Sequence, residues 1–189
     1  FTDCDIFSYF EMNESILSGL DPVFRQRIEV WLDTMAAPDL HVTLTSGRRT
    51  PAQQDRLYAQ GRTLSGVRVT KARGTPRMES MHGFGCAVDF IPVVNGRSVE
   101  DSAMRKQCID VAKSIGIESG ADWITFRDPS HLQYTQGQPL AYFQKGGKLL
   151  ANEYEVVLSP QVKLQNLIKR LARTTNSQTR IILSGVIAR

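Results

Sequence analysis

The chain is short of several residues that strong structural or functional signatures require. Only three cysteines occur in 189 residues, at Cys4, Cys86 and Cys108. An odd number without paired spacing excludes a disulfide framework and fits thiols kept reduced in a cytosol. No apolar run approaches the roughly 20 residues that cross a bilayer. Residues 1–10 carry Asp3 and Asp5 but no Lys or Arg, so they lack the form of a signal peptide. The first residue is Phe1, not methionine, which leaves a trimmed leader open. No acidic run has the pattern of a calcium loop, and no calcium dependence is expected. Histidine is equally scarce, with three in the chain, and two of them fall inside one pair of motifs.

What is present suits one well-filled core. The apolar fraction of 41% and charged fraction of 22% are those of an ordinary globular protein. The net charge of +4 is uneven: residues 151–189 hold six Lys/Arg against two Glu, while the first 150 residues balance at 17 and 17. Asp21-Pro22 reads as an N-cap and first helical position, and Phe24, Ile28, Trp31, Leu32 and Met35 predict a helix over 22–36 that Pro38 ends. Alternation over 41–45 predicts a strand. Thr50-Pro51-Ala52-Gln53 has the form of a capping box, opening a helix that Gly61 closes. Residues 62–80 read as a surface loop with one short strand at 67–70. Further strands are predicted at 87–92, 123–126 and 132–134, and a helix at 101–115 before Gly116. Together these give an α+β domain over about 12–145.

The two motifs are Ser80-Met81-His82-Gly83-Phe84-Gly85-Cys86-Ala87-Val88-Asp89 and Asp128-Pro129-Ser130-His131. Catalytic zinc takes three nitrogen or oxygen ligands and keeps a fourth position open. His82, Asp89 and His131 could supply the three, and Asp128 would be free to act on water as a general base. Gly83 and Gly85 permit a bend after His82, and a strand would bring Asp89 back to the same point. Arg49, between a strand and a helix, is a candidate to face an oxyanion or a substrate carboxylate. On spacing alone, a metal site and an ordinary loop histidine beside an Asp-Pro turn stand level. Cys86 reads as a small buried residue of the bend, and His41 as structural.

These residues resemble the zinc peptidases of the D-alanyl-D-alanine carboxypeptidase and L-alanyl-D-glutamate endopeptidase group, which cut bacterial peptidoglycan stems. Ser80, His82 and Asp89 match its Ser-x-His-x6-Asp element, and Asp128 and His131 match Asp-x-x-His. Ser46, Gly47, Arg49 and Thr50 match a third element, with Arg48 where the family has an aromatic. The likeness spans about residues 14–135. It implies a small antiparallel sheet with flanking helices, of the hedgehog and D,D-peptidase type, holding one zinc ion per chain. It implies that His82, Asp89 and His131 bind zinc, Asp128 is the general base and Arg49 stabilises the reacting carbonyl. Ser80 and Gln54 carry over as substrate-binding or supporting residues. Members that cut L-Ala–D-Glu place Asp three residues before the last histidine, where D,D-cleaving members place Glu. Asp128 therefore implies the endopeptidase branch, and small phage lysis enzymes are common there. The expectation is a phage or prophage endolysin, made in the host cytoplasm and acting on peptidoglycan in the periplasm or wall after release. The stretch 69–80 is longer than usual and carries Lys71, Arg73 and Arg77, as for a flexible substrate-side loop.

The domain is expected to occupy 1–148 and a basic appendage 149–189, with a helix about 160–173 and then a short apolar segment. That appendage could pack on the domain or bind an anionic envelope surface. No aromatic residue follows Tyr154 to stack on bases, so nucleic acid is not an expected partner. The chain is expected to be a monomer. Alternative functions are a D-alanyl-D-alanine carboxypeptidase and a non-catalytic zinc-containing wall-binding or phage structural module.

Overall fold

A computed structural model describes residues 13–35 and 40–151 of the chain. Asp21 Oδ1 accepts the Val23 N–H at 2.9 Å, and Pro22 opens helix α1 (Pro22–Met35), where a missing N–H leaves nothing unpaired. Phe24, Ile28, Trp31 and Met35 bury one stripe of this helix. Trp31 meets Phe90 edge-on, with ring centroids 5.0 Å apart. Its indole N–H donates to the Cys108 carbonyl at 2.9 Å, so the largest core side chain leaves no polar atom orphaned.

Strand β1 (Leu40–Ser46) follows, then helix α2 (Pro51–Ala59). The capping box forms: Thr50 accepts from the Gln53 N–H, and the Gln53 side chain accepts from the Thr50 N–H. Next come β2 (Ala87–Val94), β3 (Arg97–Ser98), α3 (Ser102–Ser114), β4 (Glu118–Ser119), β5 (His131–Gln133) and α4 (Leu140–Gln144). The sheet order is β1-β2-β5-β4, with β3 on β2, and every pairing is antiparallel. The fold is thus α+β, a small antiparallel sheet with flanking helices.

Side chains alternate across a strand, and β2 shows the consequence. Val88 and Phe90 join Phe24, Ile28, Trp31, Cys108 and Leu132 in the core. Asp89, between them, belongs to the opposite face. Cys86 is free and buried, and burial pushes its thiol up to about 12, as befits an inert packing residue. The Arg27 guanidinium is buried too, donating to the Ile115 carbonyl at 2.5 Å and lying over the Tyr134 ring. It ties α1 to the end of α3.

Two predicted strands do not form. Residues 67–70 join no ladder among the described residues. Gly61 and Gly66 turn the chain with φ of 68° and 111°, and side chains then hold it, with Gln54 Nε2 donating to the Ala72 carbonyl at 2.9 Å. Residues 123–126 follow a 3-10 turn at Gly120–Asp122. Phe126 has φ of 61°, which no extended strand tolerates. The edge of the sheet is instead the two-residue β4, unpredicted because its neighbours carry no alternation. The tail helix about 160–173, the apolar segment after it, Pro38 and Cys4 lie outside the described residues.

Candidate metal centre

Strand pairing builds two corners of the centre. Asp89 on β2 and His131 on β5 are direct cross-strand partners. The third corner, His82, comes from a 3-10 turn at Met81–Phe84 that Gly85 closes in the left-handed region, φ 72°. A Cβ on Gly85 would also lie 2.9 Å from the Asp21 amide nitrogen, so the turn needs glycine twice over. At the other end Gly120 packs against the His131 loop, where a Cβ would meet the Asp128 carbonyl oxygen at 2.6 Å.

The three donor atoms form an equilateral triangle. His82 Nε2 lies 3.3 Å from Asp89 Oδ1 and 3.3 Å from His131 Nδ1, and His131 Nδ1 lies 3.3 Å from Asp89 Oδ1. In a tetrahedron the edge is about 1.63 bond lengths, so zinc bonds of about 2.0–2.1 Å require edges of about 3.3–3.4 Å. The donor set and its spacing both fit zinc.

Proton positions fit as well. His82 Nδ1 faces the Gly47 carbonyl oxygen at 2.7 Å, and His131 Nε2 faces Gln133 Oε1 at 3.1 Å. Each acceptor draws the ring N–H outward, which leaves a lone pair on the nitrogen that faces the triangle. Burial lowers the His82 pKa, against the opposing pull of Asp89, and keeps the ring neutral. Burial works against ionisation of Asp89, but contact with His131 and His82 and the Arg49 charge outweigh it. The carboxyl is held well below the usual carboxylate range.

The residues around the triangle divide into holders and wall. Arg49 donates to Asp89 Oδ2, leaving Oδ1 for the triangle, and it also bonds Ser46 Oγ at 3.0 Å and Gln54 Oε1 at 3.4 Å. Gln54 is fully buried and reaches Arg49, the Thr70 hydroxyl and the Ala72 carbonyl, not open space. Ser80, Arg49 and Asp128 line an open cleft of about 650 Å³ with the triangle on its floor. Asp128 Oδ1 accepts the Ser130 N–H and hydroxyl at 3.1 and 2.6 Å, and Oδ2 has no hydrogen bond among the described residues. Val69, Thr70, Lys71, Trp123 and Phe126 form the walls. The Trp123 ring lies 4.9 Å from that of His131.

Known proteins resemble this chain. Residues 73–134 match the D-alanyl-D-alanine carboxypeptidase family of M15 peptidases. The chain is 34% identical over 126 residues to the peptidoglycan L-alanyl-D-glutamate endopeptidase CwlK of Bacillus subtilis, covering 61% of this chain and 74% of that protein. It belongs to the M15 peptidase family. A second relative, the L-alanyl-D-glutamate peptidase of a Listeria phage, is 39% identical over 74 residues, 36% of this chain and 26% of that protein. The crystal structure of the Serratia marcescens L-Ala D-Glu endopeptidase ChiX has a TM-score of 0.51 and 22% identity, over 66% of this chain and 86% of that one. That likeness is one of fold.

This M15 peptidase is therefore a metallopeptidase, and His82, Asp89 and His131 are the group among the described residues where its metal fits. Two residues near the triangle went unmarked in the sequence. Gln133 was detectable, since it lies two residues beyond His131 and so on the same strand face. Glu118, which bonds Gln133 Nε2 at 3.0 Å, carries no motif at all.

Proposed function

We propose that this M15 peptidase hydrolyses the L-Ala–D-Glu bond of the peptidoglycan stem peptide, with one zinc ion held by His82, Asp89 and His131. The observation that carries the reading is the triangle of inward lone pairs beneath a cleft that Asp128 and Arg49 line. Zinc bound there would supply Lewis-acid polarisation of the scissile carbonyl and a lowered pKa for the attacking water. Asp128 acts as general base: Ser130 engages Oδ1, and Oδ2 takes the water proton and returns it to the leaving amine. Arg49 has five N–H donors and spends three on Ser46, Gln54 and Asp89. The remaining two serve the developing oxyanion. Ser80 contacts substrate from the cleft wall, while Gln54 acts through Arg49.

The bond assignment draws on the CwlK likeness and on Asp128, and the phage relative supports a lysin role. On this reading the protein acts as a monomer in the periplasm or wall after release from the host cytoplasm. Residues 1–148 form the catalytic domain, and residues 149–189 a basic appendage to it. Mass spectrometry of stem peptides after incubation with zinc-loaded protein tests the reading. Cleavage between L-Ala and D-Glu, lost in Asp128→Ala, is expected. Release of D-Ala alone would move the protein to the carboxypeptidase branch. No cleavage at all would favour a binding module.

A further inference from the structure

The sheet carries a chain of hydrogen bonds outward from His131 that no step of the proposed reaction uses. His131 and Gln133 stand on the same face of β5, and Gln133 is the direct cross-strand partner of Glu118 on β4. His131 Nε2 faces Gln133 Oε1 at 3.1 Å. Gln133 Nε2 donates to Glu118 Oε2 at 3.0 Å. The other carboxylate oxygen of Glu118 accepts the Thr135 N–H at 3.1 Å and the Thr135 hydroxyl at 2.5 Å. Each group in the line has its direction fixed by the next.

The chemistry of this line is asymmetric. A carboxylate only accepts, whereas a glutamine amide has a donor end and an acceptor end. With Glu118 beside it, Gln133 must turn its NH2 toward the carboxylate and its carbonyl toward His131. The His131 ring N–H then sits on Nε2, and the Nδ1 lone pair faces His82 and Asp89. Were Gln133 reversed, its NH2 would face Nε2, the ring proton would move to Nδ1, and the triangle would lose a donor.

We propose that Glu118 is a positioning residue that selects the metal-binding tautomer of His131 through Gln133, without itself touching metal or substrate. The proposal rests on the metal-site reading above. Outer partners of metal-bound histidines typically change affinity by about 10- to 100-fold when altered.

The decisive variant is Glu118→Gln, which keeps the shape of the side chain. Thr135 supplies two donors, so a glutamine at position 118 must give Thr135 its carbonyl end and point NH2 at Gln133. Gln133 then reverses. Adding Gln133→Glu to that variant restores the polarity, because a carboxylate at 133 accepts from both neighbours. Zinc affinity is measured by chelator competition, and the ring tautomer of the metal-free protein by nitrogen NMR of its histidines. We expect Glu118→Gln to weaken zinc about 10- to 100-fold and shift His131 toward the Nδ1–H form, with both restored in the double variant. A role in packing alone would not be rescued by the double exchange. Wild-type protein that binds no zinc would overturn the metal-site reading and this proposal together. Wild-type binding that Glu118→Gln leaves unchanged, with the tautomer intact, would overturn this proposal alone.

Discussion

The floor and the walls of the cleft are built on different principles. The floor is ladder and buried turn: Asp89 faces His131 across paired strands, and His82 is fixed by a backbone carbonyl. Its donors are preset at 3.3 Å with their protons directed outward. The walls are loops whose apolar side chains stand partly in solvent, with Val69 40% and Trp123 37% exposed. Side-chain bonds, not ladders, hold one of them, as Asp55 accepts from Gly74 and Thr75 at 2.7 and 3.1 Å. A metal requires tenths of an ångström. A peptide substrate tolerates, and benefits from, walls that adjust.

This contrast can be broken most severely at the floor. His82→Ala removes one corner and should abolish zinc retention and cleavage together, read by metal analysis and peptide turnover. Asp128→Ala should separate the two, leaving zinc bound while kcat falls by about 10²–10⁴. Arg49→Lys keeps the charge but loses the fork that holds Asp89 Oδ2. We expect about 10- to 100-fold lower zinc affinity or activity, as for other outer partners. If Arg49→Lys matched wild type in both, Arg49 would not organise the floor.

Wall variants should act more weakly and on a different quantity. Trp123→Ala should raise KM with kcat changed less, and Val69→Ser less again, both with zinc affinity near that of wild type. A Trp123→Ala protein that lost its metal would show that the ring tilted against His131 belongs to the floor. The smallest effect concerns pH. Burial depresses the folded His82 pKa, while in the unfolded chain it lies near about 6.5. Below that value the unfolded state takes up a proton that the folded state refuses, so metal-free protein loses stability as pH falls through about 6.5. Thermal melts at pH 7.5 and pH 5.5 should show the drop, and His82→Gln should flatten it.

The same division governs what could be read in the sequence. His82, Asp89, Asp128 and His131 were legible because each sits at fixed spacing on a strand or tight turn, where local geometry dictates direction. The helices at 22–35 and 51–59 and the strand from 87 were legible from periodicity and caps. The segments 67–70 and 123–126 were misread as strands for a physical reason. Their β-branched and aromatic residues suit a strand, but Val67, Val69, Trp123, Ile124 and Phe126 all stand exposed on loops instead of facing a sheet. Glu118 was invisible because its partner Gln133 is 15 residues away and is brought opposite only by the ladder. The burial of Gln54 was likewise a tertiary fact, since a polar residue on a short helix ordinarily faces water.

The most direct test is a zinc titration of metal-free protein with peptide cleavage followed at each addition. Cleavage of the L-Ala–D-Glu bond should rise in step with zinc bound and stop rising at one equivalent per chain. Full cleavage by the metal-free protein, or one tightly bound zinc with no cleavage of any stem peptide, would contradict the function assigned to the triangle.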